Sequence, residues 1–76
     1  MGQRDPYEVA LQLARKKLSE NPEKRRYQTD LLAQCEKLKG KIDTTKYWGM
    51  RLDKALASGD FVAVEAYLPH VTKESA

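Results

Sequence analysis

Cysteine, histidine and glycine are scarce in this chain, and each scarcity removes a class of explanation. The one cysteine, Cys35, cannot form an internal disulfide. Small secreted domains of this size depend on several, so a reducing compartment is expected. The one histidine, His70, follows Pro69 near the end of the chain and has no second ligand at metal spacing. It reads as a bystander, and neither a metal nor a cofactor is expected. The four glycines are scattered rather than gathered in a loop that would cradle phosphates. No apolar run approaches the roughly 18 residues of a membrane span. The N-terminal MGQRDP has neither the apolar stretch of a signal peptide nor the Ser or Thr at position 6 of the usual myristoylation pattern. A cytoplasmic protein without a membrane partner follows as the expectation. Alternating apolar runs are also missing, which leaves no candidate strand.

What is present suits a small helical domain. Over 76 residues, 41% are hydrophobic and 33% charged, a balance that favours folding over disorder. A chain of this length buries a small core, and a catalytic cleft would be hard to house in it. No enzyme is expected. The longest helical pattern is NPEKRRYQTDLLAQCEKLKGKI, in which Tyr27, Leu31, Cys35, Leu38 and Ile42 recur at spacings of 4, 4, 3 and 4. Those positions share one face and need cover from the flanking segments.

Start and stop signals divide the chain. Residues 1–4 carry no pattern. Asp5 followed by Pro6, with Glu8 after them, is a strong helix start, and Tyr7, Ala10, Leu11, Ala14 and Leu18 form the apolar face of a first helix. Asn21 and Pro22 repeat the signal for a second helix, running from Pro22 to about Lys39 and closed by Gly40. Asp43, Thr44 and Thr45 offer capping oxygens for a third, ending near Ala57, with Trp48, Leu52, Ala55 and Leu56 on one side. Gly59 and Asp60 then close that helix and cap a short fourth, Phe61 to Leu68, which Pro69 terminates. The tail from 71 to 76 reads as loose, like residues 1–4. The expected fold is a single all-α domain over residues 1–76: a small three-helix bundle with a short fourth C-terminal helix, the last two helices forming an αα-hairpin. Its expected core is Tyr7, Leu11, Leu18, Tyr27, Leu31, Cys35, Leu38, Trp48, Leu52, Leu56, Phe61, Val64 and Leu68. Residues 54–68, KALASGDFVAVEAYL, resemble the helix-turn-helix of ankyrin-type repeats, but without that family's β-turn signature and without a second copy. The shared feature is the physics of a helical hairpin.

Two surfaces are candidates for binding. Arg15, Lys16 and Lys17 close the first helix, and Lys24, Arg25 and Arg26 open the second, where cations oppose the helix dipole. A short connection would gather these six at one end of the bundle as a contact for phosphates or for an acidic protein. Glu20, Glu23 and an Arg26–Asp30 pair one turn apart would partly neutralise them. The second surface is an apolar surplus: Val9 and Leu13 on the first helix, Leu32 on the second, Tyr47 and Met50 on the third. Such residues either extend the core or form a docking or dimer surface.

The leading expectation is a non-catalytic protein-binding module. It would be a small regulator or adaptor of the kind found among accessory proteins of bacteria, phages and plasmids. It would dock on a larger partner through Val9, Leu13, Tyr47 and Met50, with the basic apex steering the encounter. The alternative is a nucleic-acid-binding accessory protein that contacts phosphates through the apex. Self-association as a homodimer through the apolar surplus is compatible with either.

Overall fold

Asp5 opens the fold as expected. Its carboxylate accepts a hydrogen bond from the Tyr7 amide at 3.2 Å, with Pro6 in the first helical position, where a missing N–H costs nothing. In the computed structural model, described for residues 5–75 and for side chains as far as residue 73, the chain is an all-α bundle. Its helices are α1 (Pro6–Ser19), α2 (Arg25–Lys37), α3 (Tyr47–Ser58) and α4 (Phe61–Ser75). The loose end expected at residues 1–4 lies outside the described residues, as does Ala76.

α1 buries Tyr7, Ala10, Leu11, Ala14 and Leu18, the face read from its spacing. The turn that follows departs from expectation. Asn21 does not cap α2; its Nδ2 donates to the Lys17 carbonyl at 3.0 Å and so closes the end of α1 instead. Pro22–Lys24 form a 3-10 turn before α2 begins at Arg25. The buried stripe of α2 runs through Leu31, Leu32 and Cys35. It is rotated toward Leu32 because α2 packs against both α1 and α4. That rotation leaves Tyr27 at the margin, 47% exposed, where the Glu65 carboxylate of α4 pushes its phenol upward, and it leaves Leu38 half-buried.

α3 occupies the middle, with its most extensive contacts to α1 and α4. Leu52 and Leu56 have no exposed surface. The start of α3 corrects the expected cap. Asp43 Oδ1 accepts from the Thr45 amide at 2.9 Å and from the Thr45 hydroxyl, closing a turn of its own, while Lys46 at the N-cap makes no side-chain bond. The first turn of α3 instead backs onto the Asp43 carbonyl. A Cβ on Gly49 would lie 2.2 Å from that oxygen, so only glycine fits. Gly59, at φ +74°, ends α3 in the left-handed conformation, and Asp60 Oδ1 accepts from the Ala63 amide at 3.2 Å to cap α4. α3 and α4 are thus the expected hairpin.

α4 is the largest correction. It does not stop at Pro69 but continues to Ser75, and Pro69 sits exposed inside it. An internal proline removes one helical hydrogen bond and costs about 3 kcal/mol when nothing compensates. Here the freed carbonyl belongs to exposed Glu65, which water can satisfy. The continuation also carries Val71 onto the stripe Phe61, Val64, Leu68, where it is 2% exposed. Burying such a side chain is worth about 1.5–3 kcal/mol, which offsets much of a proline cost already reduced by hydration of that carbonyl. The tail is therefore core rather than loose as far as Val71.

Tyr7 ties α2 to α1. Its ring is 1% exposed and its hydroxyl donates to the Cys35 carbonyl at 2.6 Å. Burial pushes the phenol far above its ordinary range, so it stays a neutral donor.

Two substitutions test this packing. Val71→Ala is expected to lower unfolding free energy by about 2 kcal/mol, whereas a loose tail would give no change in urea midpoint. Tyr7→Phe, which deletes one buried hydrogen bond and no volume, is expected to lower it by about 1 kcal/mol.

Candidate functional site

Because Leu52, Ala55 and Leu56 turn inward, the opposite side of α3 presents Tyr47, Met50, Arg51 and Lys54 to solvent. The antiparallel register of the hairpin then sets α4 residues beside them: Tyr67 meets Arg51, and His70 meets Trp48. An aromatic cluster results. Trp48 stacks on His70 with ring centroids 4.1 Å apart and planes 12° from parallel. Trp48 also meets Tyr67 at 5.7 Å and Tyr47 edge-on at 4.9 Å. The Arg51 guanidinium lies 4.8 Å above the Tyr47 ring, and its Nη1 donates to the Tyr67 hydroxyl at 3.5 Å. Both neighbours favour the cation, the Tyr67 bond most.

Two open hollows flank this cluster. One of about 250 Å³ is lined by Tyr47, Met50, Arg51 and Lys54. The other, about 150 Å³, lies between α3 and α4 and shares Arg51 and Lys54 with the first. Tyr47 is 56% exposed and Met50 48%. Lys54 has no ion-pair partner among the described residues.

The expected apolar surplus is thereby sorted. Leu32 is core. Tyr47 and Met50 share one hollow, while Leu13 is exposed on α1, Val9 is half-buried, and neither lines the hollows beside Arg51. His70, read from sequence as a bystander, is part of the aromatic cluster, and Trp48, expected in the core, is half-buried at its centre. The spacing along the chain does not show this cluster, because only the α3–α4 register sets Tyr67 beside Arg51 and Trp48, and a helix ended at Pro69 also leaves out His70.

The basic apex is less unified than its spacing implies. Arg15 leaves the group and pairs with Glu36 of α2. Lys16, Lys17, Lys24, Arg25 and Arg26 are exposed without ion-pair partners among the described residues, and the expected Arg26–Asp30 pair is not formed. Lys17 and Lys24 line an open cavity of about 480 Å³ between the α1–α2 connection and the α3–α4 turn, but Glu20 and Glu23 line it too. Lys17 also runs across Gly59, close enough that a Cβ there would sit 2.7 Å from its Cδ. The cavity is mixed in charge.

Tyr7 is buried within reach of three other ionisable groups, Cys35, Asp5 and Asp53. Among the described residues no group of three or more His, Cys, Asp and Glu side chains could hold a metal ion, and no helix is long and apolar enough to cross a membrane. The Asp53 carboxyl of α3 is raised by burial and secondarily by Asp5. Cys35 has no exposed surface, and burial pushes its thiol upward, away from the reactive thiolate. Comparison with protein-family models, curated proteins and solved structures finds no match for the chain.

The burial of Cys35 has a direct readout. In the native protein at neutral pH it is expected to resist a thiol-reactive dye for as long as the fold persists, and to react at the rate of a free thiol in denaturant. Rapid native labelling would show that α2 opens from α1 easily.

Proposed function

We propose that the protein is a non-catalytic protein-binding module that docks on a larger partner through the outward face of α3 and α4, centred on Tyr47, Met50, Arg51, Lys54 and Tyr67. The observation that carries this reading is the gathering of Tyr47 and Tyr67 around Arg51, with Trp48 packed against both tyrosines, on one accessible face. Tyrosine, tryptophan, methionine and arginine are the residue types enriched where protein interfaces hold most of their binding energy. The cluster is also held in place by its own contacts, so little side-chain freedom is lost on binding. The docking residues lie on two packed helices rather than on loops, which suits a module that meets its partner in a fixed orientation.

The same geometry argues against base stacking as the use of this face. Trp48 already has His70 against one face and Tyr67 and Tyr47 around it, and Arg51 covers Tyr47. Single-strand binders keep ring faces free for bases. The second reading, phosphate contact, rests on a different observation: the five unpaired cations of the apex, which supply charge but no base readout. In the leading reading they speed the encounter with an acidic partner.

The test is capture from nuclease-treated lysate on the tagged protein, with Met50→Asp and Leu13→Asp in parallel and folding checked by circular dichroism. A discrete protein retained by wild type and Leu13→Asp but reduced at least about tenfold by Met50→Asp supports docking through α3 and α4, since burying an unpaired charge costs more than that. Loss with Leu13→Asp alone would move the docking face to α1. Recovery that vanishes with nuclease would replace the reading with the phosphate-binding one.

A further inference from the structure

The α3–α4 face is specific about what covers it. We propose that its occupant is an acidic amphipathic helix of the partner, seating two apolar side chains in the hollows beside Met50 and Tyr67 and setting a carboxylate on Arg51. This inference rests on the docking reading above and names the chemistry of the partner.

Charge is the first argument. The residues lining the two hollows include Arg51 and Lys54, common to both, and one carboxylate, Asp60. Asp60 is already engaged in capping α4 through the Ala63 amide. Two cations against one carboxylate leave the lining net positive, and an acidic ligand complements it while a basic one is repelled.

Arg51 supplies the second. Its guanidinium is fixed from two sides, by the Tyr47 ring beneath it and the Tyr67 hydroxyl at one nitrogen. A guanidinium has five donors, so those not directed at Tyr67 remain for a ligand, already oriented as the fork that a carboxylate accepts. Lys54, one helical turn further along α3 and without an ion pair, adds a second positive charge that needs no fixed geometry.

Shape supplies the third. The hollows follow one another along α3 and share Arg51 and Lys54 between them. Side chains three or four residues apart on a helix stand about 5–6 Å from each other, the spacing of adjacent turns. A helix laid along the outward side of α3, over its edge with α4, thus meets both hollows with one apolar stripe and places its acidic flank over Arg51 and Lys54.

The experiment is selection of binders for the full chain from a displayed library of helical peptides randomised on one face, followed by synthesis of the enriched sequences. The expected peptides carry two apolar residues one turn apart with Asp or Glu beside them. They shift the amide signals of Tyr47, Met50, Arg51 and Tyr67 and change Trp48 fluorescence. Changing their acids to Gln, or Arg51→Ala in the protein, weakens binding about tenfold, and Arg51→Lys does not restore it. Enriched peptides without acidic residues that still lose binding to Met50→Asp would overturn the acidic partner and leave the docking face standing. Peptides indifferent to Met50→Asp and to Met50→Ala would overturn both. Two further outcomes also reject an acidic helix: binding of a labelled single-stranded oligonucleotide that Arg51→Ala abolishes, and a dimer in sedimentation that Met50→Asp abolishes, which would make a second copy the occupant.

Discussion

Burial of Leu52 and Leu56 is the constraint on which the rest of this structure depends. Both are removed completely from water, and α3 can satisfy them only by lying between α1 and α4. With that, the rotation of α3 is no longer free. Gly49 must pass against the Asp43 carbonyl, and Tyr47, Met50, Arg51 and Lys54 must point outward, because a helix with one side in the core has its other side in solvent. The candidate site is the reverse of the core, set by the same two leucines.

The hairpin then decides what stands beside that outward side. Gly59 and Asp60 leave no slack between α3 and α4, so the register is tight and Tyr67 and His70 fall opposite Arg51 and Trp48. The position of His70 depends in turn on α4 continuing through Pro69. A helix that ended at Leu68 would carry neither Val71 into the core nor the imidazole onto the indole. One apolar side chain near the end of the chain therefore supports both the stability of the bundle and the completeness of the aromatic cluster.

This explains which parts were legible in the sequence. The helix starts at Asp5 and Asp60, the left-handed turns at Gly40 and Gly59, the apolar face of α1 and the burial of Cys35 all follow from local rules, because each depends on residues within a turn or two. The spacing Phe61, Val64, Leu68, Val71 is equally visible, but by the local rule Pro69 should outweigh it. It does not, because the proline's solvent-facing position makes its lost hydrogen bond inexpensive. The rotated stripe of α2 was not visible. Whether Tyr27 or Leu32 is buried depends on where α1 and α4 lie around α2, which no periodicity encodes. The cluster around Trp48 was hidden for the same reason. Its members are separated by about five turns of helix and a reversal, and only the hairpin register joins them.

Placement of the aromatic residues bears on what the surface is for. A domain of this size has little apolar volume to draw on, and large rings are its most effective means of burying area. Yet of its six Tyr, Trp and Phe residues only Tyr7 and Phe61 are fully in the core, which is otherwise built from Leu, Val, Ala and Cys35. Trp48 and Tyr67 are half-buried against the core at the border of an accessible face, and Tyr47 and Tyr67 hold Arg51 on that face. Stability accounts for the buried parts of Trp48 and Tyr67 but gives no reason for Tyr47, 56% exposed, to lie under an exposed arginine. An exposed arginine gains little for the fold from being held rigid, since the hydrogen bonds it makes to water when mobile are nearly as good. Rigidity becomes useful when a second group arrives that needs the fork already oriented, because the ordering cost has then been met in advance by the folded domain. The economy of a small core is thus the strongest support for reading the α3–α4 face as a surface built to be covered.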